Sequence, residues 1–510
     1  MNKINIYCEK NKIYTKLIIN YFKSIFPKNC ITINADLNNT DILVLCTIDN
    51  YIENSILGWL RNKNNKLIIF GEIPSDLLSE LDFSVSEFSS HFEKNSKAFH
   101  AKKNYSSDSI NKIIYTNLSN KIDFFECERS FQRYDFMDEW NNQGYRFIDN
   151  EFSTKITNPY SIPKSNEIAY VHDSLNRICS YAGLFDFNNS SVIWFNRRIG
   201  PLDSFECILL ENFISSYRHE DNLYCVPSHI EIPYGFDSLI SVRFDCDEEI
   251  SSLKYIFDFY NNQKIPISLA IHHNSYNSVR DDFLIKKVLD NNGALLSHSM
   301  SHPHNWGGNY NSALHEGINS KKNIEERFNV RVDYAVSPFH ETPEYAVKAL
   351  KNSGYKGCIG GSCIKSDAIK SYRSIKNYDD FILSSHSSML HGDCLLNKKD
   401  KIESYKKAFD YKFITHGMFG YLDHPFSERY SYGWISEKDR IAYHKQLIDH
   451  IKLKAQKPLF LNLNDALNFI EEKTSIDISI GSDNEILSIN SSVKSHYNHV
   501  VNFCGSLQKI

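Results

Sequence analysis

HIEIPYGFDSLISVRFDCDEEI, residues 229–250, is where the character of the chain changes. ISVRFD reads as a buried strand that ends in charge. Alternate residues of a strand share a face, so Arg243, Asp245 and Asp247 project together if the strand continues. Two carboxylates converging on one spot repel, and the arrangement is costly unless a cation or a proton compensates. The alternative is a solvated acidic turn, because Glu248 and Glu249 follow directly.

Working outward toward the C-terminus, LLSHSMSHPH places His298 and His302 four residues apart. That spacing puts both imidazoles on one side of a single helical turn. Two imidazoles and a carboxylate form a common catalytic zinc set that leaves room for water and substrate. Position 299 is Ser, so the HExxH zinc-protease helix is excluded. Alone, the pair is a weak signal that reads more simply as surface histidines; beside the DxD on another strand end, a metal site is the better reading. ISVRFD, IPISLAI, GALLSHS, VDYAVSPF, YKGCIGG, DDFILSSH and YKFITHG are strand candidates separated by helices, which predicts a (β/α) barrel, incomplete or distorted. Barrel chemistry lies at the C-terminal strand ends, where Asp245, His298, His340 and His416 fall.

Toward the N-terminus, INIYC, DILVLC and KLIIFG alternate with helix-length segments, and EIAYVH, RICSYAGLFDF and SVIWFN follow. Residues 1–232 therefore read as a doubly wound α/β domain, flavodoxin-like or amidotransferase-like in layout and of unassigned role. It has no GxGxxG and no Walker sequence. Residues 233–472 form the barrel, and 473–510 a small β appendage. At 510 residues several domains are expected. Net charge is −5, from 57 basic and 62 acidic residues, which gives no electrostatic reason to propose a nucleic-acid partner. The N-terminus lacks a signal-peptide pattern and no apolar run is long enough to span a bilayer, so the expectation is a cytoplasmic protein. The 12 cysteines form no CxxC pair and read as reduced, buried thiols. A homo-oligomer is compatible with the sequence.

FDxD followed by HSxxH resembles the first two motifs of the NodB-type polysaccharide deacetylases, carbohydrate esterase family four, over roughly residues 235–472. The resemblance implies a metal-dependent deacetylase removing the N-acetyl group of an amino sugar. It makes Asp245 the general base, with Asp247, His298 and His302 holding one divalent ion, usually zinc. PEYAVKALKNSGYKG resembles the helix after the family's third motif. The motif itself departs: Ser337, Pro338, Phe339 and His340 stand where Arg-Pro-Pro-aromatic is expected. Arg243 is then the candidate to replace the missing arginine beside the base. The family's general-acid histidine is best matched by His416 in KFITHG, with His424 in LDHPF as the rival. Phe339, with Trp306, is expected at the pocket lip, His340 in a supporting role, and His272, His273, His386 and His391 as lining. An N-acetylated sugar or glycan precursor from surface-glycan biosynthesis (capsule or O-antigen) is the expected substrate. The alternatives are another amide, such as a formamido sugar, and an inactive carbohydrate-binding barrel.

Overall fold

The computed structural model describes residues 3–9, 13–62, 64–85, 112–125, 127–130, 156–173, 176–187, 189–199, 204–276, 279–360, 375–376, 381–384, 388–427, 429–491 and 496–510. Two large sheets carry the chain.

The first is mixed. Ile31–Ile33, Ile4–Tyr7, Ile42–Leu45, Lys66–Phe70 and Ser190–Phe195 run parallel in that order. Beyond Ser190–Phe195 the sheet continues antiparallel through Arg177–Phe187, Glu167–His172, Lys112–Tyr115 and Cys127–Ser130. The doubly wound expectation thus holds for the parallel half only. Two residues separate Phe187 from Ser190, enough for a hairpin and far too few for a crossover helix.

The second sheet is curled, with its parallel strands ordered Ile382–Ser384, Gly357–Ile359, Tyr334–Val336, Ala294–Ser297, Ser268–Ile271, Ser238–Cys246, Phe419–Asp423 and Ser388–Met389. Its outer face, including Ile240, Val242 and Phe244, packs on helical residues such as Ile256, Ile285, Ile324, Leu350, Phe409 and Leu447. Its inner face is closed at the N-terminal strand ends. There the helix Leu463–Lys473 inserts Leu467, Phe469 and Ile470 against Leu239, Ala270, Leu296, Tyr334 and Ile359. Leu463 N donates to Ser268 Oγ at 2.8 Å, and Asn462 Oδ1 accepts from Asp465 N at 2.9 Å, so the plug is capped and tied to the sheet. Along the central strand the inner face therefore climbs from apolar Leu239 through Ser241 to Arg243 and Asp245. Charge is confined to the open, C-terminal end.

The C-terminal segment forms two hairpins, Ile476–Ile480 with Ile486–Ser491 and Val500–Phe503 with Ser506–Lys509. Ile476, Ile478, Ile480, Val501 and Phe503 are buried in the same core as Phe22, Ile25, Leu210 and Phe213 of the first half. Asn29 Nδ2 donates to Ile478 O at 2.8 Å, and Ser228–His229 pairs with Val500–Phe503. The appendage is thus built into the first domain's core. No described helix is long and apolar enough to cross a membrane.

Candidate metal and hydrolytic site

Asp245, on the last turn of the central strand's inner face, and Asp247, just beyond it, meet residues from three neighbouring strand ends. The Asp247, His298 and His302 donor atoms all lie within 4.8 Å of one another. Asp247 Oδ1 is 3.1 Å from His298 Nε2 and 3.2 Å from His302 Nε2, and the two nitrogens are 3.1 Å apart. His298 Nδ1 lies 3.0 Å from Val336 O, a pure acceptor, so Nδ1 carries the proton of the neutral ring. Nε2 then presents a lone pair to a carboxylate oxygen and to a second imidazole. Asp247 Oδ1 is buried without an aligned hydrogen-bond donor. Lone pairs packed this closely need a cation between them, and a His–His–Asp donor set fits a divalent ion of the zinc class.

His298 and His302 do not share a helical turn, contrary to the sequence expectation. His298 follows the strand Ala294–Ser297, and the chain then turns tightly, with Ser299 at φ 69° and His302 at φ 55°. Glu316, on the helix Tyr310–Phe328, holds this turn: Met300 N and Ser301 N donate to its Oε2 at 2.8 and 2.9 Å, and Ser301 Oγ to its Oε1 at 2.7 Å. Nothing in the HxxxH spacing advertises Glu316. Its place on the helix following the histidines is the one sequence clue.

Asp245 is held by Arg243, as the departure of the third motif led one to seek. Arg243 donates from Nε to Oδ1 at 2.6 Å and from Nη2 to Oδ2 at 3.0 Å, a two-pronged pair between buried groups. Burial favours protonation of Asp245, but the charge of Arg243 outweighs it and holds the carboxyl well below its usual range. Each oxygen keeps a lone pair for a further proton.

His416 is not with these residues. KFI ends the helix Glu403–Ile414, whose Tyr405, Ala408 and Phe409 are buried at helical spacing, and Thr415 caps it. His416 follows that helix at φ 51°, and its carbonyl accepts from Glu231 N at 2.9 Å. This is the N-terminal side of the strand Phe419–Asp423, the plugged end of the barrel. The strand's five residues, about 16 Å at about 3.3 Å each, separate His416 from the open end. His424 closes the strand there, with Nε2 3.4 Å from Asp247 Oδ2 and Nδ1 2.6 Å from His391 Nε2. Burial would lower the His424 pKa, yet the carboxylates of Asp247 and Asp245 raise it. Burial and the neighbouring His424 push His391 down to about 3. Of the two rings His424 is the better holder of a proton, with Nδ1 toward His391 and Nε2 toward Asp247.

Asp423 also sits near His391 and His424, but its oxygens are engaged. Oδ1 accepts from His424 N at 2.8 Å and Trp434 Nε1 at 3.4 Å, and Oδ2 lies 3.0 Å from His444 Nε2. Among the described residues the Asp247 set is thus the better cation site. His272 Nε2 donates to Asp247 O at 3.0 Å, and burial pushes its pKa down to about 4. His340, at φ 56°, is near Asp245 and is pushed down to about 3, chiefly by burial. Phe339, 44% exposed, stacks on His304 at 3.6 Å between ring centres and lies 4.7 Å from His302. Trp306, by contrast, is fully buried and donates to Ser337 Oγ at 3.0 Å. Tyr432 stacks on His424 at 4.2 Å between ring centres, with Tyr430 edge-on to it. Neither tyrosine was expected from the sequence, because SERYSYGW carries no strand or helix period. His386 lies outside the described residues.

No family model matches the chain, and no curated protein does. Solved structures do align with it. A carbohydrate deacetylase named Agd3 aligns over 98% of this chain and 93% of its own, at 10% identity and a TM-score of 0.43. A family 4 carbohydrate esterase from Bacillus anthracis aligns over 46% of this chain and 83% of its own, at 17% identity and 0.30. A family 4 acetyl xylan esterase from Clostridium thermocellum, solved with a cobalt ion, aligns over 45% and 91%, at 11% identity and 0.31. The structures named here are thus all carbohydrate deacetylases or family-four carbohydrate esterases.

Proposed function

We propose that the chain is a metal-dependent hydrolase that removes the N-acetyl group of an amino sugar. One observation carries this reading: the Asp247, His298 and His302 donor atoms converge beside an arginine-held carboxylate on one side and an imidazole on the other. A divalent cation bound there, zinc for preference, supplies Lewis acidity toward the acyl carbonyl and toward the attacking water. Asp245, ionised and fixed in place by Arg243, takes the water proton. His424 gives a proton from Nε2 to the departing nitrogen, and His391 holds its ring in the productive orientation. A C–O bond forms at the acyl carbon as the C–N bond breaks, releasing acetate and a free amine. Phe339 and Tyr432 frame the mouth with aromatic faces, the kind of surface on which a sugar ring's C–H side packs.

The test is acetate release from a panel of free, oligomeric and nucleotide-linked N-acetylated amino sugars, before and after chelation and re-addition of zinc. Release that chelation abolishes and zinc restores is the expected result. A rate indifferent to chelation would overturn the metal assignment, and formate release from a matched N-formylated panel with no acetate release from the N-acetylated one would overturn the acyl assignment.

A further inference from the structure

Lys66 lies in the parallel half of the first sheet and is fully buried. Among the described residues no carboxylate pairs with it. Its Nζ contacts Ile214 O at 3.3 Å and Cys225 Sγ at 3.2 Å. A buried ammonium needs an anion, and the available one is the Cys225 thiolate. Cys225 is itself fully buried, with the Cys504 thiol beside it. Cys504 is partly exposed, at φ 48° in the turn joining the strands Val500–Phe503 and Ser506–Lys509. Asn484 fastens both segments: Cys225 N donates to its Oδ1 at 2.9 Å, and Cys504 Sγ reaches its carbonyl at 3.9 Å.

The structure assigns Lys66, Cys225 and Cys504 as a peroxide-responsive dithiol that cross-links the C-terminal hairpin to the first domain. The neighbouring Cys504 thiol and the charge of Lys66 together outweigh burial and lower the Cys225 thiol below its ordinary range, which favours the nucleophilic thiolate. The Cys225 thiolate attacks one oxygen of a hydroperoxide, the O–O bond breaks, and the departing oxygen takes a solvent proton. The resulting sulfenic acid is attacked by the Cys504 sulfur, which gives up its proton, and hydroxide leaves as water. Two thiols lose two electrons and one hydroperoxide is reduced; with hydrogen peroxide the products are a disulfide and two waters. Lys66 is a positioning residue: it keeps Cys225 ionised and does not change covalently. Cys30 and Cys179, by contrast, are pushed up to about 12, chiefly by burial.

The experiment treats the full-length protein with a small excess of hydrogen peroxide, blocks remaining thiols under denaturing conditions and maps the peptides. A Cys225–Cys504 cross-link that forms before any other cysteine is modified, and that dithiothreitol reverses, is expected. In Cys504→Ser the sulfenic acid on Cys225 should persist and react with dimedone. Lys66→Gln should slow Cys225 oxidation at least about tenfold. The wild-type map needs no variant to fold. Cys225 and Cys504 both left as thiols while other cysteines oxidise would overturn the assignment, as would a different cross-linked pair.

Discussion

Arg243 and Asp245 show how much of the site depends on the geometry of single residues. A guanidinium binds both oxygens of a carboxylate in one plane; an ammonium reaches them as a point charge and does not fix their direction. Arg243→Met should therefore lower kcat about 100-fold or more with little change in KM, and Arg243→Lys should recover only part of that loss, as steady-state kinetics will show. A fall in KM affinity alone would make Arg243 a substrate contact. His424 and His416 offer a second comparison. His424→Gln keeps the ring's shape only roughly and removes its proton, so a loss of about 100-fold to 10,000-fold is expected. His416→Gln, at the plugged end, should stay within about twofold of wild type in the same assay. The reverse order would return the acid role to His416.

At the scale of elements, the turn carrying His298 and His302 is held by Glu316 from a separate helix. Glu316→Gln retains its shape but weakens three hydrogen bonds to the turn. Zinc affinity, read by competition with a chromogenic chelator, should drop about 10-fold to 100-fold while the fold is kept. Unchanged affinity would show the turn to be self-supporting. This element also marks what the sequence disclosed. RFDCDEE and HSxxH pointed to the candidate cation site because both lie at the ends of apolar runs with strand character, and period-two alternation placed Arg243 beside Asp245. The HxxxH spacing suggested a helix because four residues is also one helical turn; two left-handed residues achieve the same convergence. KFITHG misled for a related reason. Phe413 and Ile414 end an amphipathic helix, and the strand that matters, FGYLD, begins three residues after His416. Tyr432 was out of reach because it enters from a segment without a periodic signal, and Glu316 because its helix's period marks the buried face and not the turn it holds; His391 was expected as lining, but its contact with His424 was not.

For the whole molecule, the C-terminal hairpins and the barrel plug link folding of the two halves. His499 marks this junction, stacked on Phe469 of the plug helix at 4.4 Å with its ring planes 7° from parallel. Burial, aided by Lys473, pushes its pKa from 6.5 to about 4. A depressed histidine pKa means that the unfolded chain takes up a proton below pH 6.5 while the folded chain does not until about pH 4. Stability from this group is thus complete above 6.5 and declines through that window, by about 2 kcal/mol between pH 7 and pH 5. Guanidinium unfolding at the two pH values should show a smaller acid loss in His499→Phe than in wild type. Equal losses would mean that His499 is free to protonate in the folded protein.

The most direct test of the central claim is a zinc titration of the metal-free protein, followed by calorimetry, for wild type and Asp247→Ala. The account predicts one tight site per chain in wild type, and its loss in the variant with the fold intact by circular dichroism. A wild-type protein that binds no divalent metal, or a variant that binds zinc as tightly as wild type, would contradict it.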